Sequence, residues 1–332
     1  MAHDPIVLRR ASEALEQQRR NHTLQKTRLR AQAYQRQPRL EQLDRQLQGT
    51  MAQLVAAALR KGENPAQAVR NIRDQNLALQ QERAALLAQL GLDKDALEDT
   101  PLCPHCGDTG WRGTQMCQCL KALYAKEQIA ELSKLLDLGE QSFDTFRMDY
   151  YSMQRQPGEP YSARENMEVI LSLCKTYADH FGKNGIKNLY LHGAPGLGKT
   201  FLSACIARRV SELGFSVVYD TASNIFAQFE DRKFQRFGDN LDARDEPRRY
   251  LNCDLLILDD LGSELTTQFT QTALYELVNT RLMAGRSTVI SSNLSLNDVA
   301  QRYSPQIASR IQGEYHELFF FGQDIRALKK QR

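Results

Sequence analysis

The eight residues Gly193-Ala194-Pro195-Gly196-Leu197-Gly198-Lys199-Thr200 constrain the fold more tightly than any other stretch of this 332-residue chain. They match G-x-x-x-x-G-K-[ST], directly follow the apolar run 188–191 and directly precede a helix-forming stretch, 201–212. In that setting the glycines permit a tight loop whose N–H groups turn inward, and the helix N-terminus adds partial positive charge. A nucleoside triphosphate is the expected ligand, held by the loop residues Gly193, Pro195, Gly196 and Gly198. Lys199 is expected to reach the β- and γ-phosphates and the Thr200 hydroxyl to ligate Mg²⁺.

A second apolar run, 253–258, ends in Asp259-Asp260, which places two acids at the carboxyl edge of a buried sheet, where ligands collect. Asp259 is expected to hold Mg²⁺ and Asp260 to polarise the attacking water. The run 287–292 ends at Asn293, whose neutral amide is suited to orient water near the γ-phosphate. Short apolar runs at 189–191, 216–219, 255–258, 288–291 and 318–321, separated by helix-length segments, predict a parallel sheet covered by helices.

In order and spacing these segments resemble the AAA+ ATPases. Together they look most like the bacterial and phage replicative helicase loader branch, the DnaC/DnaI type, which also contains the IstB transposition helper ATPases. The likeness covers about 142–330. It implies an α/β, lidless AAA+ P-loop NTPase domain, preceded by a helical N-terminal domain with a small zinc-binding module. Only 39 residues follow Asn293, too few for the helical lid of many AAA+ proteins. ATP and Mg²⁺ are the implied ligands, and the implied activity is ATP hydrolysis, slow and stimulated by DNA or a partner. Asp260 stands where Glu is commonest in that family. Two arginines gain roles from the resemblance: Arg310 as a finger supplied to a neighbouring subunit, with Arg302 its nearest rival, and Arg326 as a sensor of the γ-phosphate within the same subunit. The implied partners are a replicative hexameric helicase, single-stranded DNA and further copies of the chain at the ATP sites. The alternative is an IstB-like helper that targets a transposase to DNA. A third reading treats ATP as a static ligand of an adaptor scaffold.

Four of the seven cysteines, Cys103, Cys106, Cys117 and Cys119, fall within 17 residues, a set of soft thiolates suited to structural Zn²⁺, with His105 a candidate substitute ligand. The other three stand singly in apolar contexts, which argues against a secreted disulfide scaffold. From about 12 to 90 the chain is rich in helix formers. Leu40, Leu47 and Leu54 recur at sevens, but Thr50 interrupts the seam, so a short helical bundle is expected in place of a long coiled coil. Residues 60–65 should break it. The expected domains are 1–100, a helical partner-binding region; 101–136, a zinc module and linker helix; and 137–332, the ATPase.

Net charge is only +3, too nearly balanced to identify a polybasic protein by itself, yet residues 1–40 hold nine Lys/Arg against three Asp/Glu, a basic arm suited to a partner or nucleic acid. Arg232, Lys233 and Arg236 lie among Phe226, Phe229, Phe234 and Phe237, a mixture suited to single-stranded DNA, with at least half of the phenylalanines expected in the core. No 18-residue apolar run and no secretory signal pattern occur, so a cytoplasmic protein without membrane partners is expected.

Overall fold

In the computed structural model, the structure describes residues 3–59, 65–135, 141–155, 158, 160–183, 185–233 and 241–330. Two compact units divide the chain, one made of 13–117 and the other of 1–12 with 118–332.

The first unit is helical. Helices α1 (Pro5–Arg36), α2 (Pro38–Leu59) and α3 (Pro65–Gln89) follow one another. The break between α1 and α2 falls at Gln37, because a residue before proline is pushed out of helical geometry. The expected break at 60–65 falls on 60–64, outside the described residues, between the ends of α2 and α3. Ala33, Leu40, Leu87 and Leu97 form the small core. A polar knot ties the three helices: Asp44 of α2 accepts from the Tyr34 hydroxyl of α1 at 2.6 Å and from Arg83 of α3 at 2.6 Å. Burial, with Asp44 beside it, pushes the Tyr34 phenol up to about 12. Thr50, the interruption in the leucine seam, is buried and donates to Asn76 Oδ1 of α3 at 2.9 Å, a paired polar contact that fixes the register of the two helices. Several cations of the basic arm are engaged locally: Lys26 donates to the Ala96 carbonyl, and Arg30 to the Leu97 carbonyl and Asp99. A short hairpin, β1 (Trp111–Arg112) and β2 (Gln115–Met116), completes this unit.

The second unit is an α/β layer structure. Helix α4 (Gln118–Leu135) leads through two short 3₁₀ turns to α5 (Ala163–Asp179), and then β3 (Leu189–Gly193), α6 (Lys199–Glu212), β4 (Val217–Thr221), α7 (Ala222–Lys233), α8 (Leu241–Asn252) and β5 (Leu255–Leu261) follow. The chain continues through α9 (Gln268–Met283), β6 (Ser287–Ser292), α10 (Leu296–Arg302), α11 (Pro305–Glu314), β7 (His316–Phe320) and α12 (Ile325–Lys330). The sheet is parallel throughout, in the order β4-β5-β6-β3-β7.

Strand alternation sets the two cores. Leu189, Leu191, Leu255 and Ile257 face one side, packed with Met167 and Ile170 of α5 and with Leu202 and Ile206 of α6. Tyr190, Leu256, Leu258 and Ile290 face the other, packed with Leu274 and Leu277 of α9 and Ile307 of α11. Burial on both faces is what a parallel sheet requires, and it explains the uninterrupted apolar runs. Ser162 begins α5 by a reciprocal cap with Glu165. Gln128 fixes α4 to the sheet layer by donating to Ser211 Oγ at 3.1 Å and to the Phe215 carbonyl at 3.2 Å. Among the described residues, no helix is long and apolar enough to cross a membrane.

Candidate functional site

A cavity of about 730 Å³ opens at the carboxyl edge of the sheet. Its lining brings together Pro195, Gly196, Gly198, Lys199, Thr200, Asp259, Asp260, Asn293 and Arg326, so sequence positions separated by more than a hundred residues meet at one place. The loop between β3 and α6 forms one wall. Gly193 has φ +137, and a Cβ there would lie 2.0 Å from the Phe320 carbonyl oxygen of β7. Gly196 has φ +75, and a Cβ would lie 1.9 Å from Asp324 Oδ1. Both positions therefore combine left-handed backbone with a close approach that only glycine permits.

Lys199, the first residue of α6, is buried and donates to the carbonyls of Gly193 (2.8 Å) and Ala194 (2.9 Å) and to Asn293 Oδ1 (2.8 Å). Burial lowers its pKa to about 8, against the opposing pull of Asp259 and Asp260. The Asn293 amide extends toward Asp260, with Nδ2 3.5 Å from Asp260 Oδ1. Asp260 is exposed and has φ +56, a left-handed conformation outside glycine that costs on the order of 1 kcal/mol and recurs at functional sites. Its carbonyl is held by Ser263, through N–H at 3.2 Å and Oγ at 2.9 Å.

Thr200 Oγ1 lies 3.5 Å from Asp259 Oδ1, while Asp259 Oδ2 accepts from the Tyr219 hydroxyl at 2.6 Å. Burial, with Asp259 beside it, holds the Tyr219 phenol well above its ordinary range. A hydroxyl and a carboxylate converging beside the glycine-rich loop are hard oxygen donors, the kind Mg²⁺ takes together with waters and phosphate oxygens.

The other end of the cavity is built from residues that sequence reasoning missed. Phe146, Arg147, Tyr150 and Tyr151, from the segment before α5, line it together with Ile325 and Lys329 of α12. Phe146 stacks on Tyr151 with centroids 5.8 Å apart and meets Phe201 edge-on at 5.6 Å. Tyr151 donates to the Leu197 carbonyl at 3.0 Å. Arg147 and Lys329 both lie over the Tyr150 ring, at 5.2 and 5.8 Å. The run of aromatics at 143–151 was the available signal. The C-terminal segment is seated directly on the loop, since Ile325 N–H donates to the Gly196 carbonyl at 3.0 Å and Asp324 Oδ1 caps Arg326 N–H at 2.8 Å.

Arg310 is not part of this cavity. It lies on α11 in a shallow cleft with Tyr275, Pro305, Gln306, Ser309, Gly313 and Glu314. Its rival Arg302 is committed within the fold, to Thr266 Oγ1 at 2.8 Å and the Glu264 carbonyl at 2.7 Å. Arg232 and Lys233 are exposed at the end of α7, with Lys233 Nζ 5.2 Å from the Phe269 ring centroid. Phe226 is buried and Phe229 packs on the same core, whereas Phe234, Arg236 and Phe237 lie outside the described residues.

The sulfurs of Cys103, Cys106, Cys117 and Cys119 all lie within 4.8 Å of one another. The Cys103–Cys117 separation of 3.7 Å matches the edge of a tetrahedron with metal–sulfur bonds of about 2.3 Å. Asp108 supports the turn by accepting from the N–H groups of Leu102 (3.0 Å) and Cys103 (2.7 Å), and Gly110 N–H points at Cys106 Sγ. The soft four-sulfur set suits Zn²⁺. His105, the candidate substitute, is exposed and outside this group.

A glycine-rich loop between strand and helix, an acidic strand one place removed across the sheet and an amide at the end of the strand between them give this unit the architecture of a P-loop nucleotide-binding domain. The family model described as IstB-like ATP binding protein matches residues 178–311. The chain is 26% identical over 147 residues to uncharacterized protein YdaV of Escherichia coli (strain K12), covering 44% of this chain and 57% of that protein. It is 26% identical over 132 residues to replicative helicase loader DnaC of Buchnera aphidicola subsp. Baizongia pistaciae (strain Bp), covering 39% and 52%. The chain thus spans a little over half the length of these curated relatives. A crystal structure of the DnaC helicase loader is similar at 20% identity and a TM-score of 0.44, over 56% of this chain and 99% of that one. Over residues 178–311 the chain is thus similar to the IstB-like ATP binding proteins, and over a similar stretch to the DnaC loaders.

Proposed function

We propose that this chain is an ATP-dependent loader of a replicative hexameric DNA helicase onto single-stranded DNA, with ATP binding and hydrolysis as its switch. The observation that carries the reading is the convergence of Lys199, Thr200, Asp259, Asp260, Asn293 and Arg326 at one cavity in a chain whose curated relatives include DnaC loaders. In this reading, residues 1–100 engage the helicase, 101–136 form a zinc module and linker, and 137–332 form the nucleotide switch.

The loop N–H groups between Gly193 and Thr200 cradle the phosphates. Lys199 exchanges its Asn293 and carbonyl acceptors for phosphate oxygens. Thr200 and Asp259 hold Mg²⁺, which when bound neutralises phosphate charge. Asp260 takes the proton of the attacking water, with the Asn293 amide holding that water in line. Arg326 steadies the γ-phosphate within the chain. Arg310, placed away from its own chain's cavity, is free to reach the nucleotide of a neighbouring copy, where a guanidinium offsets charge on the transferred phosphoryl group. Such an arrangement makes turnover depend on self-assembly. Arg232 and Lys233, with Arg236, face single-stranded DNA. Cys103, Cys106, Cys117 and Cys119 hold Zn²⁺.

The test mixes the purified protein with the replicative helicase of its host, single-stranded DNA and ATP. Helicase binding and its transfer to DNA are expected, both lost in Lys199→Ala and Asp259→Ala. A protein that ignores the helicase refutes the proposal. The match to the IstB-like family supports one alternative, a transposition helper, which requires capture of a transposase in the same assay.

A further inference from the structure

The Asp259 carboxylate has two oxygens in different surroundings. Oδ1 lies 3.5 Å from Thr200 Oγ1 and faces the cavity, while Oδ2 is 2.6 Å from the hydroxyl of Tyr219 on the neighbouring strand β4. The sheet register produces this contact. In the parallel pair β4–β5, Tyr219 is opposite Ile257 and Thr221 is opposite Asp259, so Tyr219 and Asp259 project from the same face, two positions apart along the strands. A tyrosine ring is long enough to cross that diagonal and deliver its hydroxyl to the carboxylate.

Both side chains are buried, with Tyr219 2% and Asp259 5% exposed. Tyr219 also packs in the core with Ile257 and Leu255, so its ring has little freedom to swing. A buried phenol must find an acceptor. This one has found the acid that stands beside Thr200, when an apolar ring would have filled the same core space without reaching it.

We propose that Tyr219 is a positioning residue for the metal-facing carboxylate, donating to Asp259 Oδ2 so that Oδ1 is held toward Thr200. This rests on the reading of Thr200 and Asp259 as Mg²⁺ ligands. Without the phenol, the carboxylate can rotate about its terminal torsion and present either oxygen, or neither, to a cation. Partners that hold a ligand from behind contribute about 10–100-fold to metal affinity.

Mn²⁺ replaces Mg²⁺ as the probe, and its binding to the complex of full-length protein with a non-hydrolysable ATP analogue is followed by electron paramagnetic resonance. Tyr219→Phe keeps the ring and should bind Mn²⁺ at least about tenfold more weakly. Its melting temperature and its metal-free affinity for the analogue in EDTA should stay close to wild type, and its ATP hydrolysis should recover as the metal concentration is raised. Mn²⁺ affinity equal to wild type overturns the assignment.

A second comparison remains readable if Tyr219→Phe folds poorly: Asp259→Ala against Asp259→Ala/Tyr219→Phe, in which no carboxylate is left behind. Equal Mn²⁺ affinities in these two are expected, because Tyr219 acts through Asp259; a further loss in the double variant overturns the assignment. A wild-type protein that binds the analogue with no contribution from Mn²⁺ overturns the metal-site reading and this assignment together. Metal dependence in wild type with an unaffected Tyr219→Phe removes this assignment alone.

Discussion

The pKa of Lys199, lowered from 10.5 to about 8 by burial, leads to a measurable pH dependence of nucleotide affinity. The ammonium form is the one that can hold phosphate oxygens, and in the ligand-free protein burial disfavours that form. Affinity is therefore full below pH 8 and falls as the pH rises through 8, because above it binding must first return a proton to the amine. With a free-state value near 8, the protonated fraction drops from about three quarters at pH 7.5 to about 3% at pH 9.5, a loss of about 25-fold in apparent affinity. Isothermal titration calorimetry in two buffers of different ionisation enthalpy should give this slope, together with uptake approaching one proton per ATP at pH 9.5. Lys199→Arg removes the effect, because a guanidinium stays charged across the range. An affinity that changes less than threefold between those pH values, with no proton uptake, refutes the assignment of Lys199 to the phosphates.

Arg310→Ala should leave ATP binding intact and abolish the rise in specific ATPase activity with protein concentration, whereas Arg302→Ala should instead lower thermal stability, having lost its bonds to Thr266 and Glu264. Hydrolysis by Arg310→Ala that still rises with concentration removes its role in trans. One equivalent of zinc per chain is expected by elemental analysis, falling to near zero in Cys103→Ser or Cys117→Ser; four freely reactive thiols in a metal-free native protein reject the site. Gly196→Ala combines left-handed backbone with a Cβ 1.9 Å from Asp324 Oδ1, so it should break the Ile325–Gly196 hydrogen bond and weaken ATP binding by about 2–4 kcal/mol. Calorimetry showing wild-type affinity would mean that α12 does not need to sit on the loop.

What could be read in the sequence was local. The loop Gly193–Thr200 and the acid pair carry their geometry in consecutive residues, because a strand, a tight turn and a helix start are each fixed by near neighbours. The inner strands were legible for the same reason, since burial on both faces leaves unbroken apolar runs, whereas the edge strand β7 shows an apolar run although Phe319 is half exposed. Residues whose role depends on a distant partner were not legible. Arg302 and Arg310 read alike as helix arginines, and only the loop at Glu264–Thr266, brought near by folding, separates them. Arg281 of α9 is fully buried and donates to the carbonyls of Tyr250, Cys253 and Ser287, contacts that no local pattern announces. Thr50 read as a defect in a leucine seam because its partner Asn76 lies on the next helix. The aromatic wall at Phe146–Tyr151 was overlooked because no short motif marks it; its contacts run to Leu197, Phe201 and α12.

Strand order also explains why Asn293 stands where it does. The loop strand β3 and the acidic strand β5 are not neighbours; β6 lies between them, so Asn293, the residue directly after β6, separates Lys199 from Asp260. A side chain there must satisfy a buried cation on one side and face a carboxylate on the other. A carboxylate at 293 would neutralise Lys199 but set a second negative charge against Asp260, and an apolar residue would leave the amine with only its two carbonyl acceptors. A hydroxyl is too short to span both. The asparagine amide accepts from Lys199 through Oδ1 and directs Nδ2 toward Asp260, joining the two without adding charge. An amide at the end of β6 is therefore what this topology demands.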